Sequence, residues 1–477
     1  MTRAVLVAIV VFAVVWLCAI GIWRGTGATP GGVQMALVLG GLPLVVLAGM
    51  HVARRASRSR VDTGADVPAK AADGAGGGGV ATPPSMALGA GAVWLPVADT
   101  PTDALAALAQ PPRPGLHPTL RDRDGLPVFA AFVAHLDTFP AEDLLRRHAP
   151  GLRASDEALR ALALLEPVAD ALFIRAASLL PRPAQTEGQV IAGMHHRGAA
   201  GPCERVDVHL LLPASWPAAL REACVLAMRG QAIACGLQDA QLDVHAVPVA
   251  DARASWARMR QLLDAAGTPE GPERSPRWQV LLAADSRVGA QSIRRLESTG
   301  VLMGTRQQDG VVPAEGAAGV LLLPASASGD AMALVHAPVD GETSLASLRA
   351  GARATADLLE RAMRDASLEP ALIGLVLSDA DQRAAPSVET AAAVSLACPD
   401  LDVARQCPAL GVANGALGIV APVALLALAE AQARESAQPL LVLSLLDERQ
   451  RVALAIVPAE ADGSSSRAGA DTPATVA

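Results

Sequence analysis

From residue 86 onward the chain is divided into short runs that are apolar at most positions, at 91–95, 128–133, 206–212, 242–249, 278–284, 319–323, 332–336, 371–377, 440–445 and 452–457. A strand tolerates apolar residues at consecutive positions only when both faces of its sheet are covered. Helix-length segments at 217–236, 252–266, 345–366 and 415–435 fall between the runs and supply candidates for that cover. The alternation predicts a layered α/β domain with parallel strand pairing. At 477 residues with 51% apolar content, the chain is long enough for one or two domains with a sizeable core.

The N-terminal region has a different character. Residues 4–23 and 33–53 are free of Asp, Glu, Lys and Arg, and each matches the length a helix needs to cross the hydrocarbon of a bilayer. A short polar turn with Arg24, Gly25, Thr26, Pro30 and Gly31 joins them, so the pair reads as a transmembrane hairpin over residues 1–56. Arg54, Arg55, Arg58 and Arg60 follow the second run, against Arg24 alone in the turn. Positive charge stays on the cytoplasmic side, which puts both termini and the large domain inside. A cleaved signal peptide is the rival, but the first run is long for one and has no small-x-small cleavage pattern. Val15, Trp16 and Leu17 before Cys18 do not make a lipoprotein site. Residues 57–85, with Gly76, Gly77, Gly78 and Gly79, read as a flexible linker, and 461–477 as a disordered tail.

Composition removes several functions. The net charge of −8 argues against a nucleic-acid partner, which needs a basic surface. There is no Tyr, and the only Lys is Lys70 in the linker, so a Schiff-base lysine, a phosphate-loop lysine and a tyrosine base are excluded from the domain. Richness in Arg, Ala and Gly suggests a GC-rich bacterial genome, and with the hairpin it places the protein in a bacterial inner membrane. Cys18, Cys203, Cys224, Cys235, Cys398 and Cys407 lack the density of a disulfide framework, so reduced thiols are expected.

One segment resembles a known family. Trp278, Gln279, Val280, Leu281, Leu282, Ala283, Ala284, Asp285 and Ser286, then residues 292–300, then Pro313, Ala314, Glu315, Gly316, Ala317 and Ala318 leading into 319–323, look like the ketoacyl-synthase branch of the thiolase-like superfamily. A second likeness is Gly411, Val412, Ala413, Asn414, Gly415, Ala416, Leu417 and Gly418 ahead of a long helix. The resemblance implies a thiolase-like fold of two βαβαβ-type halves in five layers, at 86–266 and 267–460, and a homodimer. It also implies that the condensing chemistry is lost. The family's histidine after the glycine aligns with Val412. Its cysteine belongs in 250–259, where this chain has none, and its other histidine belongs in 378–385, which also has none. A weaker similarity, in layout only, is to type VI secretion lipase-adapter proteins.

Other candidates read as structural. His195, His196, Cys203, Asp207 and His209 are metal-type ligands close in sequence, but neighbours on a strand point to opposite faces, and His209 reads as a hydrogen-bonded core histidine. Glu389 reads as support for a helix start, and Asp285 with Glu315 as turn and packing residues. No nucleophile elbow or phosphate loop occurs. The sequence therefore assigns no catalytic, cofactor-binding or metal-binding residue, and no cofactor. It predicts a non-catalytic, membrane-anchored scaffold or adapter for a protein partner. The alternative is an acyl-binding or acyl-transferring enzyme, with Cys224 and Cys235 as its thiols, or an acyl-metabolite sensor.

Overall fold

The structure is a computed structural model that describes residues 85–459 except 181–188, 192–193, 197–203, 268–276, 306, 325–326, 328, 330, 344–346 and 446–448. The predicted hairpin at 4–23 and 33–53, the tail and all of the predicted linker but Ser85, which opens the first strand, lie outside the described residues. Among the described residues no helix is long and apolar enough to cross a membrane.

The elements run β1 (Ser85–Trp94), α1 (Pro101–Ala109), β2 (Gly115–Arg121), β3 (Pro127–Ala130), α2 (Phe139–His148), α3 (Asp156–Leu179), β4 (Gln189–Ile191), β5 (Met194–His196), β6 (Arg205–Pro213) and α4 (Ala218–Ala234). They continue with β7 (Leu242–Val249), α5 (Ala252–Gly267), β8 (Arg277–Ser286), α6 (Ala290–Ser298), β9 (Glu315–Leu323), β10 (Ala333–His336), β11 (Val339–Glu342), α7 (Leu348–Asp365) and β12 (Leu375–Asp381). The last are α8 (Ala384–Ala397), α9 (Val403–Gln406), α10 (Leu410–Asn414), α11 (Ala421–Ser436), β13 (Leu440–Ser444) and β14 (Gln450–Pro458).

The main sheet has the order β12-β13-β14-β10-β1-β9-β8-β6-β7, with β11 pairing to β14. Its centre is the antiparallel β1–β10 pair, and the order repeats outward from it. From β1 the neighbours are β9, β8 and β6, paired antiparallel through β8 and parallel beyond it. From β10 they are β14, β13 and β12, paired in the same senses. β7 adds a parallel edge strand to β6. Its counterpart beside β12 is reduced to two parallel bridges, Ser378 to Ala409 and Asp381 to Gly411. The alternation predicted parallel pairing, and the sheet is mixed. Burial on both faces makes β8, β9, β13 and β14 apolar whatever their direction, so hydropathy does not report the sense of pairing.

Three buried clusters define five layers. α3 and α4 cover one face of β6, β8 and β9 through Leu172, Phe173, Met228, Val208, Leu282 and Leu321. α5 and α11 lie between the two half-sheets, with Met259 and Leu425 in one cluster with Leu281, Val320, Val442 and Leu454. α7 and α8 cover the outer face of β12, β13 and β14 through Leu359, Val394, Val376, Leu441 and Ala455. α11 is buried from Ala421 to Ala431 because it has a sheet on either side, and its Ala-rich, Leu-rich sequence suits both close packing and the helix. Pro422 starts it, and Ala437 in the left-handed region (φ 52°) ends it.

Four local expectations are corrected. The predicted helix at 415–435 begins only at Ala421, because Gly415 (φ 63°) and Gly418 (φ 57°) turn the chain first. The run at 371–377 opens with a 3₁₀ turn at Pro370–Leu372, so β12 is displaced toward Asp381. Of residues 128–133 only 128–130 fall on β3, which pairs with β2 in a small separate sheet. α3 was not predicted, since Pro167 interrupts its pattern, yet Ser155 caps it by accepting from Ala158 N at 3.2 Å.

Candidate functional site

A cavity of about 490 Å³ opens at the carboxyl ends of β6, β7 and β8. Parallel strands that share a direction end together, and the loops after them diverge to leave a crevice. Here the loops bring Ser215 after β6, Ala250 after β7, and Asp285, Ser286 and Arg287 at the end of β8. Arg153 and Glu157 approach from the start of α3, and Gln291, Ser292 and Arg295 from α6.

Arg287 Nε lies 3.2 Å from Asp285 Oδ2, with 27% of the arginine side chain exposed and 11% of the aspartate's. Burial pushes the Asp285 carboxyl above its ordinary range, and Arg287 opposes that shift. Gly418 makes room for this arginine, since a Cβ there would stand 2.4 Å from Arg287 Nη2. Glu157 Oε1 accepts from Ser292 N at 2.9 Å and so ties α3 to α6. Glu315 belongs to a different network. It accepts from Arg160 Nε at 2.7 Å, Val133 N at 2.8 Å and the Ser286 hydroxyl at 2.8 Å. Asp285 and Glu315 thus each have their own arginine, in keeping with packing roles.

The positions expected to hold condensing chemistry are occupied otherwise. At the start of α5, Asp251 Oδ1 accepts from Ala254 N at 2.9 Å, and the Ser255 hydroxyl donates to Ile419 O at 3.0 Å. Val412 lies within α10, whose Gly411 runs so close to β12 that a Cβ there would stand 2.9 Å from the Asp379 and Ala380 carbonyl oxygens. The four described cysteines are free. Burial pushes the thiols of Cys224, Cys235 and Cys407 up to about 12 and that of Cys398 up to about 11, so none is a thiolate at neutral pH. Cys235 also donates to Asp170 Oδ1 at 3.2 Å.

No family model matches the chain, and no curated protein matches it in sequence. Solved structures do match in shape. A type II polyketide synthase ketosynthase, bound to a hexaketide and in complex with its acyl-carrier protein, superposes with a TM-score of 0.52 at 13% identity, covering 79% of this chain and 100% of that one. The oxazolomycin ketosynthase domain from Streptomyces albus JA3453 gives 0.51 at 14% identity over 82% and 76%. The ketosynthase from module 6 of the bacillaene synthase of Bacillus subtilis 168 gives 0.52 at 13% identity over 78% and 72%. The fold is thiolase-like. The thiolase-like likeness spans both half-sheets, including the first half, where the sequence offered only strand order.

Elsewhere in the thiolase-like domain the other sequence candidates have structural partners. His209 is buried on β6, donates from Nε2 to Gln279 Oε1 at 2.6 Å, and accepts at Nδ1 from Arg258 Nη2 at 3.1 Å. It is the hydrogen-bonded core histidine that was expected, and burial lowers its pKa to about 4. Asp207 accepts from Arg277 Nη1 at 3.0 Å. His195 and His196 fall on β5, and with Cys203 they lie outside the residues whose side chains are described. Glu389 corrects its prediction. It is buried inside α8 and makes a two-pronged pair with Arg451 of β14 at 2.7 and 3.0 Å, instead of supporting a helix start. Hydrophobic spacing cannot reveal a partner sixty residues away.

Sequence reasoning also missed Asp379. It is buried at the end of β12 and accepts from Leu445 N at 2.6 Å and from the Ser444 hydroxyl. Burial raises its pKa to about 6, against a model-compound value of 3.8. The folded state therefore resists its ionisation, and stability falls as pH rises from about 4 through about 6. Asp379→Asn keeps an acceptor for Leu445 N and can donate its amide N–H to the Ser444 hydroxyl, without the charge. Its expected effect is to remove that decline, a gain of about 3 kcal/mol at pH 7.5 and none at pH 3.5, read by urea denaturation across the range. Equal stability of parent and variant at pH 7.5 would refute it.

Proposed function

We propose that the chain is a non-condensing thiolase-like protein that works by binding, anchored in a bacterial inner membrane by residues 4–23 and 33–53, with its domain in the cytoplasm. It serves another protein as scaffold or adapter, and a secretion system is the setting its layout suggests. The observation that carries this reading is chemical. The start of α5 holds Asp251 and Ser255 in place of a thiol, and each described cysteine is protonated at neutral pH by burial. Val412 in place of an imidazole supports it, since a condensing site needs a donor to stabilise the developing oxyanion.

Incubation of the full-length chain with acyl-CoA or with acylated acyl-carrier protein should give no acyl adduct by intact mass, and addition of a malonyl thioester should release no carbon dioxide. A covalent acyl group on any residue would overturn the reading. Affinity capture from the native membrane tests the adapter role, and it should recover one specific protein. Recovery of acyl-carrier protein or lipid-synthesis enzymes alone would favour the metabolic alternative. A homodimer is part of the proposal, to be read from the mass of the purified protein in solution.

The cavity favours a second reading, a metabolite sensor that keeps a pocket without the chemistry. Ligand-dependent thermal stabilisation distinguishes it from a pure adapter.

A further inference from the structure

We propose that the cavity at the ends of β6, β7 and β8 is a binding site for a small anionic metabolite, bearing phosphate or carboxylate groups, held by Arg287 with Arg153 and Arg295. The inference deepens the reading of the chain as a binder.

The cavity has the volume of a small-molecule site, and its charge is unbalanced. Three arginines and two carboxylates line it. Both carboxylates are engaged, Asp285 by Arg287 Nε and Glu157 Oε1 by the Ser292 N–H. The arginines are not satisfied to the same degree. Arg287 uses only Nε on Asp285, and neither Nη1 nor Nη2 has an acceptor among the described residues. Arg153 and Arg295 are exposed at the rim, and their side chains make no hydrogen bond or ion pair to a described residue. On a protein of net charge −8, three under-used guanidinium groups around one cavity are a local exception to the overall field.

The position of Arg287 is set before any ligand arrives. Asp285 holds Nε from below, the backbone N–H of Arg287 donates to Ala314 O at 3.0 Å, and Gly418 leaves room for the guanidinium plane. A preset fork with its Nη1 and Nη2 groups open matches the geometry of a carboxylate or a phosphate. Seryl and amide groups at Ser215, Ser292 and Gln291 add hydrogen-bonding capacity around it. An acyl chain gains nothing from such walls, because it would desolvate the guanidinium groups without replacing their hydrogen bonds.

The test uses the full-length chain with inorganic pyrophosphate and citrate as probes, in calorimetry and thermal melts at fixed ionic strength. Arg153→Ala/Arg295→Ala removes two exposed side chains that bond to no described residue, so folding should be unchanged. Arg361→Ala, on the exposed side of α7, is the control for loss of any surface charge. At least one probe should bind and raise the melting temperature. The double variant should bind it about tenfold more weakly, and the control should bind as the parent does. Binding of pyrophosphate alone assigns a phosphate-bearing ligand, and binding of citrate alone a carboxylate-bearing one. If neither probe stabilises beyond sodium chloride of equal ionic strength, or if the double variant binds as tightly as the parent, the proposal is overturned. An acyl adduct would sink the non-condensing reading and leave this result untouched, so the two failures are distinguishable.

Discussion

Replacing Arg451 by Ala is expected to destabilise the folded domain by about 3–5 kcal/mol, because it strands a buried carboxylate. Side-chain exposure is 7% for Arg451 and 9% for Glu389, so water cannot take over the lost contact. The carboxylate of Glu389 would keep the Thr355 hydroxyl at 2.7 Å and the Thr343 hydroxyl at 3.2 Å, which are too few donors for a buried charge. The pair also has a pH signature. Burial alone would raise the Glu389 pKa, but the Arg451 and Thr355 hydrogen bonds and the Arg451 charge hold it below its ordinary value. In the parent, this contribution is present above the unfolded value of 4.5 and is lost as pH falls through the folded value. Without Arg451 the burial effect prevails, so the variant should recover part of its loss on acidification. Urea denaturation at pH 7.5 and at pH 4 reads both effects. A loss under about 1 kcal/mol at pH 7.5 would show that the pair does not behave as a buried one.

Replacing Gly91 by Val should cost about 3 kcal/mol or more, because the new side chain has no room. A Cβ at Gly91 would stand 2.6 Å from Ala427 Cα and 2.8 Å from its carbonyl oxygen, both backbone atoms of α11. A flexible side chain could turn aside, but this helix is packed between two half-sheets and cannot retreat from one without entering the other. Gly230→Ala in α4 is the matched control. It has ordinary backbone angles and nothing within 4 Å of its added Cβ, so it should stabilise by about 0.5–1 kcal/mol. A Gly91 variant that melts with the parent would mean that α11 is not held as described.

Most of the strands were legible because burial on both faces leaves long apolar runs. β6, β8, β13 and β14 fall on the runs at 206–212, 278–284, 440–445 and 452–457. The features that escaped sequence reading are those that depend on distant partners. The sequence analysis singled out neither Arg287 nor Arg153, which the fold brings to one cavity. A general signal was present in the loops following buried strands, since crevices form there. It pointed to a place, without saying which side chains would turn toward it.

The sequence by itself determined the layered α/β class and carried the thiolase-like resemblance. These follow from local hydropathy, from short motifs and from residue identity, which need no contacts between distant segments. The mixed sense of the sheet, its repeat about the β1–β10 pair and the ion pairs of Glu389 and Glu315 were decided by tertiary structure alone. So was the state of the thiols, because a cysteine's reactivity depends on the water and charge around it, and here burial keeps the proton on.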